Sequence, residues 1–193
     1  MIQPMRFLAG CCVMTLSGCF ATAQSVGSQE RAADKPAPRM DRNSQIAHEQ
    51  LVAKAKQGGI DVYFLGDSIT RRWGATDYPE FLANWRSNFF GWNAANFGWG
   101  ADRVENILWR VENGELDGVN PKVIVLLAGI NNVGTFPGGD AKVENITRGL
   151  KALVNACQQK ATNTVIILTA LFPRNDNMAV IPTINRKIGR AHV

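Results

Sequence analysis

The stretch Ile60–Arg72, IDVYFLGDSITRR, decides the fold prediction for the whole chain. Its apolar run Val62–Leu65 favours a strand buried on both faces, because Val, Tyr and Phe prefer strands. Gly66 allows a tight turn, and both Asp67 and Ser68 are residue types that cap helices. The stretch therefore predicts a strand, a sharp turn and a hydroxyl at the carboxyl end of a central strand, where open α/β sheets place their chemistry. Taken alone, the turn is more typical of an ordinary helix cap.

Further apolar runs and amphipathic segments alternate along the rest of the chain. Strands are predicted at 92–97, 122–128 and 164–171, and helices from Asn43 or Ser44 to 57, from 104 to a stop at Gly114, at 141–161 and from about 177 to 187. Residues 78–90 are predicted as an irregular helix and loop. Because each crossover between strands contains a helix, the order predicts an α/β fold with a parallel sheet and right-handed connections.

Composition excludes several classes of protein. The chain has 193 residues, about one domain's worth, and a formal charge of +5. Its basic residues are scattered, so nucleic-acid binding is not expected. Of its cysteines, Cys11, Cys12 and Cys19 lie in the N-terminal leader, which leaves Cys157 alone in the body. A disulfide framework is therefore excluded for a monomer, and no CxxC pair exists to hold zinc. Cys157 lies on the apolar side of the predicted 141–161 helix and is expected to pack in the protein core.

The N-terminal region is typical of an exported bacterial protein. Residues 1–23 have a basic residue, an apolar stretch and small residues, as a signal peptide or lipoprotein leader does. The A-x-A pattern at 21–23 suits ordinary cleavage. The Leu16–Cys19 pattern suits lipidation of Cys19 and membrane anchoring, which we favour; secretion is the alternative. Residues 24–42 are predicted to be a disordered linker, and residues 43–187 the domain. His48 is predicted to face solvent.

Three polar turns each follow a predicted strand, and parallel strands end at one edge of a sheet. These turns contain Ser68, the Gly98–Asp102 segment and Asn131. A serine that attacks an ester leaves negative charge on the former carbonyl oxygen, which preorganised N–H donors must bind. Ser68 and the glycine-rich turn have backbone N–H groups to offer, and Asn131 has a side-chain amide. Singly, each turn is more typical of a tight connection or a cap.

These turns carry a resemblance to the SGNH, or GDSL, family of serine hydrolases. The matching blocks are 66–69 (GDSI), 96–103 (NFGWGADR), 108–116 (LWRVENGEL), 129–132 (GINN) and 171–174 (LFPR). The chain is most similar to the branch of the platelet-activating-factor acetylhydrolase catalytic subunits. The resemblance implies a three-layer, flavodoxin-like fold and ester hydrolysis without a metal or cofactor. It also implies that Ser68 is the nucleophile, and that Ser68, Ala101 and Asn131 form the oxyanion hole. Ala101 departs from the glycine that is usual there.

One part of the family pattern is missing. The family's general base and its aspartate lie in a D-x-x-H block near the C-terminus, but the only histidines here are His48 and His192, and Gly189 stands three residues before the latter. We therefore expect the chain to be truncated, with an incomplete sheet. Residues 188–193 read as an in-frame translation of a sequencing adapter, which makes them a possible non-native tail.

The function expected of the full-length parent is hydrolysis of a carboxylic ester through an acyl-enzyme on Ser68. The acyl group is expected to be short, such as acetyl, on a lipid or carbohydrate, and the chain itself is expected to be a poor catalyst. Two alternatives remain: a non-catalytic module that binds a carbohydrate or anion, and a flavin- or phosphate-binding flavodoxin-like protein. Arg174, Trp73, Trp99 and Trp109 are candidates for the pocket lining.

Overall fold

The computed structural model describes residues 31–135, 138–173 and 179–189. Strands and helices alternate within these ranges, as predicted. The strands are β1 (Val62–Gly66), β2 (Ala94–Gly98), β3 (Val123–Leu127) and β4 (Val165–Leu168). The helices are α1 (Arg42–Gln57), α2 (Ser68–Arg72), α3 (Pro79–Phe89), α4 (Val104–Arg110), α5 (Ile130–Val133), α6 (Asp140–Lys160) and α7 (Val180–Gly189), and a π-helical turn at Val111–Glu115 extends α4.

The four strands form one parallel sheet in the order β2-β1-β3-β4. The register places Gly66, at the end of β1, opposite Gly98 of β2 on one side and Leu127 of β3 on the other. The chain therefore leaves three neighbouring strands at the same edge of the sheet. This confirms the predicted α/β fold with a parallel sheet, in which helices flank the strands.

One face of the sheet is well covered. Tyr63 and Leu65 of β1 and Ile124 and Leu126 of β3 are fully buried on this face. Helix α6 presents its apolar side to the same core, and Cys157 on that side is 0% exposed. The prediction of a core cysteine is thus confirmed. Burial raises the pKa of the Cys157 thiol to about 12, so this thiol stays protonated and unreactive at neutral pH.

The other face is open over part of the sheet. Val165 and Ile167 of β4 are 63% and 50% exposed, so the prediction of a buried fourth strand is wrong. Helix α3 packs against this face through Trp85 and Phe89, whose rings lie 4.9 and 5.0 Å from the ring of Phe64. The helix is regular rather than irregular, yet it has no fully buried residue. The apolar pattern of a strand does not by itself show which of its two faces is covered by a helix.

Residues 31–41 belong to the folded domain, which corrects the predicted linker boundary at residue 42. Ala33 is 0% exposed, and its backbone N–H donates to the Asn145 side chain at 2.9 Å. The N–H of Ala37 donates to the Glu105 carbonyl at 3.0 Å. Asp41, rather than Asn43 or Ser44, caps α1, because its carboxylate accepts the Ser44 N–H.

The remaining predictions about the chain termini fall largely outside the described ranges. The leader at 1–23 and linker residues 24–30 lie there, as does most of the proposed tail. Of that tail, Ile188 and Gly189 are described: they end α7, and Ile188 is buried. None of the helices in the described ranges is both long enough and apolar enough to span a membrane.

Candidate active site

Ser68 is the first residue of α2, directly after β1, and its side chain is half-buried. Asp67 caps this helix: its backbone is extended, and its carboxylate accepts the Ile69 N–H at 2.9 Å. Asp67 itself is fully buried. The sequence therefore forms the expected strand, cap and helix, and the cap holds the Ser68 hydroxyl at the carboxyl edge of the sheet.

Two glycines allow α2 to sit directly on the strand ends. A Cβ on Gly98 would lie 2.3 Å from the Arg71 backbone nitrogen and 2.8 Å from the Asp67 carbonyl. A Cβ on Gly66 would overlap Thr70 Oγ1 of α2 and lie 2.5 Å from the Leu127 carbonyl. These positions are all far inside van der Waals contact, so a larger residue at either glycine would push α2, and with it Ser68, away from the sheet.

The glycine-rich turn and Asn131 meet at the same edge. The Asn131 side-chain amide donates to the Asp102 carbonyl at 2.7 Å, which leaves its second N–H uncommitted by this bond. The Trp99 N–H donates to the Gly66 carbonyl at 3.1 Å, which ties the turn to the end of β1. Ala101 has φ +61°, a left-handed conformation that suits glycine better than alanine. A glycine at this position would adopt the same conformation without strain.

A cavity of about 380 Å³ contains Ser68. Trp99 and Gly100 of the glycine-rich turn line it, together with the start of α1 and the side chains of Arg39, Arg71 and Arg72. Of the predicted oxyanion donors, Ser68 lines this cavity, whereas Ala101 and Asn131 are not among its lining residues. Asn131 instead binds the backbone of the turn from the β3 side.

A buried ion network lies beneath the turn. Arg110 is 4% exposed and donates to Asp102 from Nε at 2.8 Å, and its guanidinium also pairs with Glu115. Both carboxylates are 0% exposed. The same guanidinium donates to the Phe97 and Gly66 carbonyls, each at 3.2 Å, where β2 and β1 end. Arg110 thus fixes two strand ends and the turn to one rigid planar group.

His48 is not the solvent-facing side chain that the sequence predicts. Its Nδ1 lies 2.7 Å from a Glu115 carboxylate oxygen, and its ring lies 4.7 Å from that of Trp109. The prediction is wrong because Glu115 is 67 residues away in sequence and comes to α1 only through packing of the π-helical turn. His48 therefore extends the Arg110 network toward the surface and is already engaged by a carboxylate.

Burial dominates the ionisation of the two aspartates next to the site. Desolvation raises the pKa of Asp102 to about 6, although the Arg110 charge acts in the opposite direction. Desolvation also raises the pKa of Asp67, against the N–H of Ile69 and the charge of Arg72. Each has one carboxylate oxygen, Oδ1 in Asp102 and Oδ2 in Asp67, without a hydrogen-bond partner among the described residues.

The predicted pocket residues are distributed over separate sites. Trp99 lines the Ser68 cavity, Trp73 lines an apolar groove of about 810 Å³ beside α3, and Trp109 lines a third cavity with His48. Arg174 lies outside the described residues. Sequence reasoning missed the structural roles of Arg39 and Arg110. The one available signal for Arg110 was a charged residue within the mainly apolar stretch 107–111.

A hydroxyl at a β1–α2 cap, a glycine-rich turn after β2 and an asparagine after β3 together define a GDSL-type acylhydrolase. The chain belongs to the GDSL-like lipase/acylhydrolase family, whose model matches residues 64–192. This confirms the resemblance drawn from the sequence motifs.

Curated relatives agree with this assignment. The human platelet-activating factor acetylhydrolase IB subunit alpha1 is 30% identical over 167 residues, which are 84% of this chain and 67% of that protein. The Drosophila melanogaster subunit beta homolog is 33% identical over 155 residues, 79% of this chain and 64% of that protein. The chain thus spans about two thirds of the length of these relatives.

Solved structures show the same fold. The structure of a protein from Streptococcus pneumonia has a TM-score of 0.51 at 20% identity, and the alignment covers 68% of this chain and 58% of that protein. The acetyl xylan esterase AlAXEase has a TM-score of 0.50 at 21% identity and covers 68% of this chain and 73% of that one.

Proposed function

We propose that the protein hydrolyses carboxylic esters with Ser68 as its nucleophile. The observation that carries the proposal is the position of the Ser68 hydroxyl: half-buried at the start of α2, in a cavity shared with the glycine-rich turn. The hydroxyl oxygen bonds to the ester carbonyl carbon, and the alcohol leaves with a proton. Water then attacks the acyl-enzyme, which releases the acid and restores the serine.

The oxyanion formed in both steps needs donors that are held in place beforehand. We assign this role to the backbone N–H groups of Ser68 and Ala101 and to the Asn131 amide. Support comes from the bond between Asn131 and the Asp102 carbonyl, which joins the third donor to the turn that carries the second. The Arg110 network below keeps that turn rigid.

The general base is the element that the described residues do not supply. His48 is the one histidine within them, and Glu115 already engages its Nδ1; His192 lies outside the described ranges. We propose that the family's D-x-x-H block provides the base in the full-length parent, and that the present chain turns over slowly. Loss of a triad member leaves a residual acceleration of about 10³–10⁴ over water in serine hydrolases.

For the substrate, we propose a short-chain acyl ester, such as an acetyl ester, of a lipid or carbohydrate. The names of the relatives support the acetyl group: a platelet-activating factor acetylhydrolase subunit and an acetyl xylan esterase.

We also propose export of the protein, with Cys19 as a lipid anchor. Mass spectrometry of the mature N-terminus would show a diacylglyceryl cysteine at residue 19, whereas an unmodified N-terminus at residue 24 would contradict the anchor.

The nucleophile is tested by covalent labelling. The full-length parent is incubated with a fluorophosphonate and digested, and the adduct is located by mass spectrometry. We expect one adduct on Ser68 that is absent from Ser68→Ala and retained in Ser87→Ala, since Ser87 is exposed on α3 and bonds only within its helix. Hydrolysis of 4-nitrophenyl acetate by the present chain is followed in parallel. A slow Ser68-dependent rate is expected, and a normal enzymatic rate would refute the proposed lack of a base in this chain.

A non-catalytic binding module is the second candidate, and the engagement of His48 by Glu115 is the observation that favours it. If the full-length parent, well folded, gave no adduct on Ser68 and no turnover, the esterase proposal would fail and the binding module would replace it.

A further inference from the structure

We infer that the Ser68 cavity selects esters that carry a negative charge near the ester bond, and that Arg72 is the residue that recognises this charge. The inference rests on the proposed function, because that function identifies the bond to be cleaved. The ligand chemistry is a carboxylate or a phosphate within reach of the Ser68 hydroxyl.

The first observation is the charge around the cavity. Its lining contains three arginines, Arg39, Arg71 and Arg72, and one carboxylate, that of Asp41. A cavity of about 380 Å³ with this lining attracts anions and repels cations. An excess of positive charge is not needed to bind a neutral ester, because two backbone N–H donors and a side-chain amide are already assigned to the oxyanion.

The second observation is that two of the three arginines are already neutralised. Arg39 pairs with Asp41 at 2.9 Å and lies 3.6 Å from Asp102. Arg71 pairs with Asp77 at 3.1 Å. These guanidinium groups have carboxylate partners in the protein itself, and a ligand anion would have to compete with those partners.

Arg72 differs from both. Among the described residues it has neither a salt bridge nor a hydrogen-bonded acceptor, and its guanidinium lies 5.3 Å from the ring centroid of Tyr78. The Arg72 charge acts on the buried Asp67 carboxylate, but the two form no ion pair. The Tyr78 ring contacts the Arg72 side chain without neutralising it, and no described acceptor occupies the donor fork. Arg72 is exposed, and it lines the cavity four residues after Ser68 on the same short helix. A guanidinium in this position binds carboxylates and phosphates with paired, charge-assisted hydrogen bonds.

The test measures binding and does not depend on turnover. Protein-observed NMR titrations compare two matched pairs of probes: methyl galacturonoside with methyl galactoside, and glycerol 3-phosphate with glycerol. We expect at least one anion to bind about tenfold more tightly than its neutral partner, with shifts at residues 68–72. The pair that shows the preference distinguishes an acidic sugar from a phosphorylated alcohol.

Variants assign the preference to its residue. Arg72→Gln is expected to abolish the preference for anions, and Arg72→Lys to retain part of it. Arg86→Gln is expected to leave the preference intact, because this substitution removes the same charge at an exposed position of α3 outside the cavity. Equal binding of anions and neutral partners, or an unchanged preference in Arg72→Gln, would overturn the inference. Ser68→Ala is expected to keep the preference. Labelling of Ser68 in the full-length parent without any anion preference would therefore refute this inference alone, and anion binding without labelling of the parent would refute the esterase proposal alone.

Discussion

Replacement of Arg110 by methionine removes the charge at the centre of the buried network while keeping most of the side chain's apolar length. The guanidinium bonds two carboxylates that are 0% exposed, Asp102 and Glu115, and two strand-end carbonyls at 3.2 Å. Breaking a buried ion pair from one side costs about 3–5 kcal/mol, because the remaining charge stays buried without compensation. We expect Arg110→Met to lose unfolding free energy in that range at pH 7.

The size of this loss should depend on pH. Burial already raises the pKa of Asp102 to about 6, so protonating it at pH 7 costs only about 1.4 kcal/mol. At pH 5 most of Asp102 is protonated in the wild type as well, and the variant loses less there. We expect the destabilisation to be smaller at pH 5 than at pH 7 by about 1–2 kcal/mol.

The assay is urea denaturation followed by tryptophan fluorescence at both pH values and constant salt. Lys122→Met is the control, because the Lys122–Asp61 pair at 3.1 Å is at the surface and exposed pairs contribute less than about 1 kcal/mol. If Arg110→Met does not fold, Arg110→Lys keeps the charge but loses the planar fork, and it should show the same pH trend with a smaller loss. A cost for Arg110→Met no larger than that of the control at pH 7 would refute the reasoning.

Three further predictions concern the turn and the N-terminal segment. Because the pKa of Asp102 is raised in the folded state, its contribution to stability is present below about pH 4 and is lost as the pH rises through 6. The free energy of unfolding of Asp102→Asn should therefore increase, relative to that of the wild type, by up to about 3 kcal/mol between pH 4 and 7. Parallel urea-stability profiles of the two proteins would contradict this. Ala101→Gly relieves the left-handed φ of +61° and should stabilise the fold by about 0.5–1 kcal/mol, whereas Ala141→Gly, at an exposed position of α6, should destabilise it by a similar amount. A loss of stability in both variants would show that the turn is unstrained. Gly149→Ala places a Cβ 2.6 Å from the Ala33 Cβ and should cost about 1–3 kcal/mol. It should also expose residues 31–41 to limited proteolysis, and an unchanged cleavage pattern would argue against their docking on α6.

Local sequence signals predicted the frame of the site well. The apolar run of β1, the turn at Gly66 and the capping types at Asp67 and Ser68 are encoded within a few residues, and the structure shows each of them. The stop at Gly114 is also local, since its φ of +113° is available mainly to glycine. The site motifs were recognisable for the same reason: each one is a short segment that directly follows a strand.

Tertiary structure alone decided which distant groups pair. Glu115 engages His48 across 67 residues, and Arg39 reaches the Gly100 carbonyl across 61. A predicted linker became part of the fold because Ala33 finds a glycine, Gly149, at which α6 allows close approach. Such contacts depend on how helices pack over the sheet, and no local pattern records them.

The burial of the two faces of the sheet was likewise only partly predictable from the sequence. Alternation along a strand indicates that side chains point both ways, and the apolar residues of β4 were consistent with burial on both faces. In the structure, the sheet face that contains Ile124 is buried, whereas Ile167, on the other face, is half exposed. The sequence by itself determined which segments are strands, where they turn and which residue types stand at their ends, because those preferences are set by each residue and its neighbours. Only the tertiary structure decided that Arg110 would be buried between two carboxylates and that Arg72 would form no ion pair with any described carboxylate, because charge pairing depends on distances between segments far apart in the chain.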